Sequence, residues 1–358
     1  MRISGFGLYS YDLPFTEPLN LKGVTLHGRE GLLLRLTGDD GSEGWGEAAP
    51  LPGFSRETLD EAADQLLKAS EAMSETGRSS SGNSPAIFRS TTAPSVRFAV
   101  ELATLHLESA RRGFSMPELL YPGAGDQLWL SGLLSGSPDE ALAGARRMKE
   151  AGYRAVKLKV GGRPVEEDAR LVRRLRGALG DGVSLRLDAN RAWSFEEAME
   201  FAISTTDLSY EYIEEPLADA ALLADLVREF DVPVALDESL AGMEAEDLEA
   251  HRYATAVVLK PTLLGGISRT LRMAEEACHL GMTPVMSSAY ESGVGTRGLI
   301  SLSAAIGEAP AGLDTYRRMA ADVLTPPLDL SVPRIDVRAA LGVARKVNPD
   351  LLEIVAEL

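Results

Sequence analysis

The chain has 358 residues, 45% hydrophobic and 25% charged, with a formal net charge of −17. That length suits one large barrel plus a smaller domain, and the acidic balance argues against nucleic acid or an anionic membrane surface as a partner. One cysteine, Cys278, excludes an internal disulfide framework, and Met1–Phe15 holds no apolar run suited to a secretion signal or a bilayer span, so a cytoplasmic protein is expected.

Residues 1 to about 95 lack strand-helix alternation. Leu32–Leu36 predicts a strand, Gly38–Gly41 a turn, and Gly44–Glu47 the return strand. Ser55–Glu71 predicts an amphipathic helix with Leu59, Ala63, Leu66 and Leu67 on one side. Ser74–Pro94, rich in Ser, Thr and Gly, reads as a loop or insertion without an assigned role. Val96–Arg112 predicts a helix that leads into the second region. From Leu128, short apolar strands are expected at 128–134, 154–160, 183–188, 209–214, 232–237, 255–260, 283–287 and 311–314, with helices between them. The clearest helices are Pro138–Ala151 and Val165–Leu179. Cys278, in the helical run Leu271–Leu280, is expected to be a small buried residue. After Asp314 the chain is proline-rich, and a weakly helical tail, 350–358, is expected to return to the first domain. The expected division is 1–95, 96–325 and 326–358.

Five of the predicted strands end in ionisable residues, spaced 23 to 29 residues apart: Lys157 and Lys159, Asp188, Glu214, Asp237, and Lys260. One strand, one helix and two loops take about that many residues, and a parallel barrel brings such ends together on one face. Lys157 and Lys159 are two apart, so they share a face of their strand. Apolar neighbours turn that face inward. Burial and mutual repulsion are expected to lower both pKa values, which suits a general base. Three adjacent carboxylates repel one another unless a cation sits among them. Oxygen ligands with open positions suit Mg²⁺, with Mn²⁺ as a substitute. Strand parity favours Glu214 over Glu215 and Asp237 over Glu238 as ligands. Asn190, Glu215 and Glu238 would then hold the ligands or lysines in place. His27, His106, His251 and His279 all lie away from the strand ends, which argues against zinc.

Further motifs are Gly44–Ser55 (GWGEAAPLPGFS), Leu187–Asn190 (LDAN), Ser287–Gly293 (SSAYESG) and Gly312–Thr315 (GLDT). With the Lys-x-Lys, Asp, Glu, Asp, Lys series, they make the chain resemble the enolase superfamily of muconate-lactonizing type, and within it the o-succinylbenzoate synthase family. The resemblance implies an α/β fold: a modified TIM-type (β/α)7β barrel with an α+β capping domain built from the N-terminal region and the C-terminal tail. It implies Mg²⁺-dependent dehydration of 2-succinyl-6-hydroxy-2,4-cyclohexadiene-1-carboxylate to 2-succinylbenzoate through a metal-stabilised enediolate. Lys159 would take the α-proton and return it to the leaving hydroxide. Lys260 would lie against the ring as a cation–π partner, and Lys157 would act electrostatically. The partner is a small dicarboxylate, with no nucleic acid and no membrane involved. Arg29 would meet the succinyl carboxylate. Ser287, Ser288, Glu291, Gly293 and Asp314 would form the substrate site, with Gly293 opening a helix whose N-terminus favours an anion. The loop carrying His27 and Arg29, and the stretch Leu51–Arg56, are the expected covers. An N-acylamino acid racemase or dipeptide epimerase would use the same lysines, and a barrel that only binds a metabolite is the alternative of another class.

Overall fold

The computed structural model describes residues 2–76, 91–342 and 345–357. Most of the segment 74–94 therefore lies outside the described residues.

The first layer is a four-stranded antiparallel sheet. Its strands β1 (Ile3–Leu21), β2 (Val24–Gly38) and β3 (Glu43–Ala48) form a meander, followed by helices α1 (Leu59–Thr76) and α2 (Pro94–Arg112). Leu32, Leu33 and Leu34 run without a polar break because both faces of β2 are covered. Leu32, Leu34 and Leu36 pack with Phe6 and Leu8 under α1 and α2, while Leu33 joins Tyr9, Tyr11 and Leu13 on the barrel side. Gly46 is required by close approach: a Cβ there would lie 1.9 Å from the Ala99 carbonyl oxygen of α2. Helix α1 starts at Leu59, later than expected. Thr58 caps it by accepting from the Glu61 N–H, while Glu61 accepts from the Thr58 N–H. His27 and Arg29 lie inside β2, not on a loop.

The barrel follows. After α3 (Met116–Leu120) and β4 (Gln127–Trp129) come β5 (Ser131–Leu134), α4 (Pro138–Ala151), β6 (Ala155–Lys159), α5 (Val165–Leu179), β7 (Ser184–Asp188), α6 (Phe195–Ser204), β8 (Tyr212–Glu214), α7 (Leu223–Phe230), β9 (Val234–Leu236), β10 (Ala256–Leu259), α8 (Pro261–Leu264), α9 (Ile267–His279), β11 (Thr283–Met286) and α10 (Gly293–Ile306). Strands β5 to β11 form one curled parallel sheet in chain order. The ring is completed at the eighth position by single bridges rather than a full strand: Ala311 pairs with Leu130, and Gly312 with Ser287. The expected strand 128–134 divides, because β4 leaves the barrel and pairs antiparallel with β13 (Arg334–Asp336). Before β13 lies the short β12 (Leu324–Thr325). After it come α11 (Val337–Gly342), β14 (Lys346–Val347) and β15 (Glu353–Glu357).

Two further expectations need correction. The tail returns to the cap as expected, but as strand β15 on the edge of β1. The unpaired edge of β1 supplies hydrogen-bond partners that a short helix would forgo, and Glu357 meets Tyr9 and Arg35. Cys278 is exposed, not buried. The apolar stripe of α9 runs through Ile267, Met273, Ala274 and Ala277 and leaves Cys278 outward.

One half-buried histidine ties α2 to β3. His106 Nδ1 accepts the Trp45 N–H at 3.0 Å, so the ring must be neutral there. Burial first, then the Arg297 charge, lowers its pKa from 6.5 to about 4. The unfolded chain therefore takes up this proton first as pH falls. The associated stability is complete above about pH 6.5 and is lost between 6.5 and 4, amounting to up to about 3 kcal/mol at about 1.4 kcal/mol per unit. Denaturant unfolding across this range, compared with His106→Gln, should show the variant lacking that part of the decline. Parallel pH profiles for the two proteins would contradict the assignment.

Candidate active site

The parallel register lines up the ionisable strand ends. Lys159 stands beside Asp188, and Asp188 beside Glu214. Residues two positions earlier share the inward face: Lys157, then Arg186, Tyr212 and Val258. A cavity of about 410 Å³ opens at these ends. Its barrel wall includes Lys157, Lys159, Asp188, Asn190, Glu214, Lys260, Ser287, Ser288, Asp314 and Thr315. The cap contributes Leu21, Lys22, Leu51 and Phe54. Asp237 and Glu238 line an adjoining recess that shares Lys260, Lys22 and Phe54 with the main cavity.

The lysines are not equivalent. Lys157 Nζ lies 2.7 Å from Asp188 Oδ2 and 2.8 Å from Glu214 Oε2. Burial alone would lower its pKa, but the two carboxylates outweigh it and hold the ammonium well above its ordinary value. The expectation of a mutually depressed lysine pair is thus overturned for Lys157. Lys260 is bound to Asp237 and likewise raised, against the pull of burial. Lys159 is exposed into the cavity, and among the described residues it has no carboxylate partner.

The carboxylates divide by position. Glu214 is fully buried, and burial together with Asp188 pushes its pKa well up. Asp188 lies lower than usual: Lys157 outweighs the cost of burial. Glu215 turns away from the cavity and accepts from the Asp237 N–H at 2.9 Å, the Ser239 N–H at 2.6 Å and Arg191 Nε at 2.9 Å. It therefore shapes the loop that carries Asp237. Glu238 accepts from Asn190 Nδ2 at 3.4 Å, and its buried Oε2 has no partner. Asn190, Arg191, Glu215 and Tyr290 all have positive φ without being glycine. Such strain gathers where surrounding structure holds functional groups in place.

Among the described residues no three acidic, cysteine or histidine side chains close round one centre, because Lys157 and Lys260 stand against the carboxylates. The donor chemistry nevertheless fits a hard divalent cation. Three oxygen donors come from adjacent strands, one of them buried between like charges, with an unpartnered carboxylate oxygen nearby.

Three expected substrate contacts are placed elsewhere. Arg29 is buried, and its guanidinium donates to five carbonyls: Tyr290 at 3.0 Å, Pro50 at 2.7 Å, Glu30 and Ala289 at 3.3 Å, and Ala49. It pins the cap to the 289–290 loop and does not reach the cavity. Glu291 is buried and accepts from Thr262 Oγ1 at 2.7 Å and the Ala289 N–H at 2.6 Å. Gly293 does open α10, but the anions at that N-terminus are internal. Glu47 accepts from the Ser292 N–H at 2.8 Å and the Gly295 N–H at 2.7 Å, and Asp322 accepts from the Gly293 N–H at 2.7 Å. Ser287, Ser288 and Asp314 do face the cavity. Asp314 is also committed to the Leu133 N–H at 3.0 Å and to Arg317 at 3.1 Å.

A family profile described as MenC, N-terminal domain matches residues 3–107, and one described as Enolase C-terminal domain-like matches residues 140–351. The chain belongs to the enolase superfamily. It is 33% identical over 344 residues to an o-succinylbenzoate synthase of Haemophilus influenzae, spanning 95% of this chain and 98% of that one. Among solved structures, a muconate lactonizing enzyme from a mycobacterium matches with a TM-score of 0.79 and 27% identity, over 98% of each chain. A dipeptide epimerase from Cytophaga hutchinsonii, complexed with Mg and a dipeptide, matches with a TM-score of 0.82 at 23% identity over 99% of each.

Lys157 was expected one step deeper than Lys159, but its counterparts on the next two strands were not. Arg186 and Tyr212 line the cavity base; Arg186 Nε and Nη2 are held by Glu211 at 2.9 and 3.0 Å. The parity that paired Lys157 with Lys159 applies equally to Arg186 with Asp188 and to Tyr212 with Glu214. Lys22 was missed too. It sits at the β1–β2 turn with φ 45°, its ammonium 4.0 Å from the Phe54 ring centroid.

Arg29→Ala should lower stability by about 2–3 kcal/mol, because buried carbonyls lose a charged donor. The urea midpoint measures this. A midpoint equal to that of the parent would remove Arg29 from its bracing role.

Proposed function

We propose that this enzyme is an o-succinylbenzoate synthase of menaquinone biosynthesis. It eliminates water from 2-succinyl-6-hydroxy-2,4-cyclohexadiene-1-carboxylate and releases 2-succinylbenzoate. The observation that carries this reading is the uneven commitment of the lysines. Lys159 faces the cavity with no carboxylate partner among the described residues, while Lys260 stands four strands away in the eight-position ring, on the opposite side of the mouth, held by Asp237. One side then supplies a base and the other a fixed positive charge.

Asp188, Glu214 and Asp237 would hold Mg²⁺, which when bound acidifies the α-carbon of a carboxylate substrate. Lys159 Nζ takes the proton from the carbon bearing the carboxylate. The electron pair moves into the ring, the neighbouring C–O bond breaks, and hydroxide leaves with the proton that Lys159 returns. The ring becomes aromatic and water is the only by-product. Lys260 offers its charge to the face of the ring. The apolar cap residues Leu21, Leu51 and Phe54 keep water from the mouth.

Racemisation of an N-acylamino acid is the second reading, because opposed lysines also suit proton exchange on both faces of a carbon. A dipeptide epimerase needs acid groups free for an amine. Here Asp314 is committed, and the stretch Gly312–Tyr316 has no second acid two residues on.

Incubation of the cyclohexadiene substrate with Mg²⁺ should give the benzenoid product, followed by its ultraviolet change. Asp188→Asn, Glu214→Gln and Asp237→Asn should each weaken Mg²⁺ binding by roughly tenfold or more in calorimetric titration and depress turnover. Binding equal to the parent in all three would end the metal assignment.

Lys159→Ala should reduce dehydration by about 10²–10⁴-fold, the usual worth of a general base. Lys260→Arg should keep measurable dehydration but lose any racemisation of N-succinyl amino acids, because a guanidinium keeps its charge yet does not give up its proton near neutral pH. A Lys260→Arg enzyme that racemises but no longer dehydrates would reverse these roles.

A further inference from the structure

A second cavity, of about 610 Å³, opens where three parts of the chain meet. These are the start of β3 with α2, the first turns of α10, and the tail residues Leu341, Gly342, Arg345, Lys346 and Val347. No residue lines both this cavity and the active site. Its wall is apolar along Trp45, Leu102, Met116 and Val294. Its cationic groups are Arg297, Arg345 and Lys346, and its one carboxylate, Glu43, lies 3.9 Å from Arg35 outside the cavity lining.

Among the described residues neither arginine is ion-paired. Arg297 donates to the Leu341 carbonyl at 3.3 Å, and its buried Nε has no partner. Arg345 donates to the Ala340 carbonyl at 2.6 Å. Both guanidinium groups line the one cavity, close enough that burial and then the Arg345 charge lower the pKa of Arg297, and among the described residues no carboxylate lies within ion-pair distance of either. A buried donor without an acceptor is costly, and paired guanidinium groups match a carboxylate's two oxygens. His106 completes the polar side. Its Nδ1 is used by the Trp45 N–H, so Nε2 carries the proton and remains a donor.

We propose that this cavity binds a small organic anion with an apolar body, an aryl or alkyl carboxylate, with its carboxylate on Arg297 and Arg345 and its body against Trp45, Leu102 and Met116. A bare inorganic anion would leave the apolar wall uncovered, and a neutral aromatic would leave the guanidinium groups unpaired. The bound anion links the cap, α10 and the tail, so it stabilises the fold without touching the reacting groups.

Benzoate is the probe and benzamide its neutral control. Trp45 lines the cavity, so its fluorescence reports occupancy. Benzoate should change the emission saturably and raise Tm, while benzamide should do neither. Trp45→Phe should lose most of the fluorescence change and keep the Tm shift. Arg297→Met combined with Arg345→Met should abolish both responses and leave turnover unchanged. Lys260→Ala should leave benzoate binding intact, which separates this cavity from the active site. If the double variant fails to fold, Arg345→Gln alone, on the half-buried tail, should weaken binding at least about fivefold, a loss of about 1 kcal/mol. Equal response to benzamide, no saturable response to benzoate, binding that survives the arginine changes, or binding lost in Lys260→Ala would each overturn the proposal.

Discussion

Like charge confined at one end of a parallel barrel is the constraint on which the rest depends. Register brings Asp188 and Glu214 side by side, with Asp237 on the loop after the next strand. In a water-poor mouth their repulsion is far stronger than in solvent. Lys157 and Lys260 relieve it by ion pairing, and that commitment distinguishes them from Lys159. The loops carry the cost: several non-glycine residues adopt left-handed backbone there, and Glu215 is spent on holding the strand-end loop of Asp237.

The cap depends on a second kind of constraint, buried polar ties. Glu47 accepts from the first N–H groups of α10 and from Tyr11, while Arg29 satisfies carbonyls from both sides of the junction. These groups are directional, so they set how the cap sits in a way that apolar packing alone would not. The cavity consequently has one wall of barrel strand ends and another of cap residues Leu21, Lys22, Leu51 and Phe54. Glu47 lies in the same GWGEAAP stretch that marked the family, and its visible work is to cap a helix rather than to meet a ligand.

Much of the barrel was legible because its signal is local. Short apolar runs recur with helical segments between them, and five of them end in a charge, a series that a barrel mouth explains. The cap sheet was partly legible: the turn at Gly38–Gly41 and the glycines of β3 are local signs. The strand β15 was not, because nothing in Glu353–Glu357 distinguishes an edge strand from a frayed helix until β1 offers its edge. Arg29 and Gly293 were misplaced for a related reason. A basic residue and a helix start do mark anion sites, but whether that capacity is free depends on what the fold packs against it.

The amino-acid sequence by itself determined the periodicity, the inward parity of Lys157 and Lys159, and the series of acids and lysines at strand ends, since these follow from chain geometry within single strands. Only the tertiary structure decided which charge meets which. Ion pairs between Lys157 and Glu214, caps from Glu47 to α10, and the closure of the ring by Ala311 and Gly312 join residues far apart in the chain. Such contacts depend on burial and on distances of a few ångströms, which strand and helix patterns do not encode.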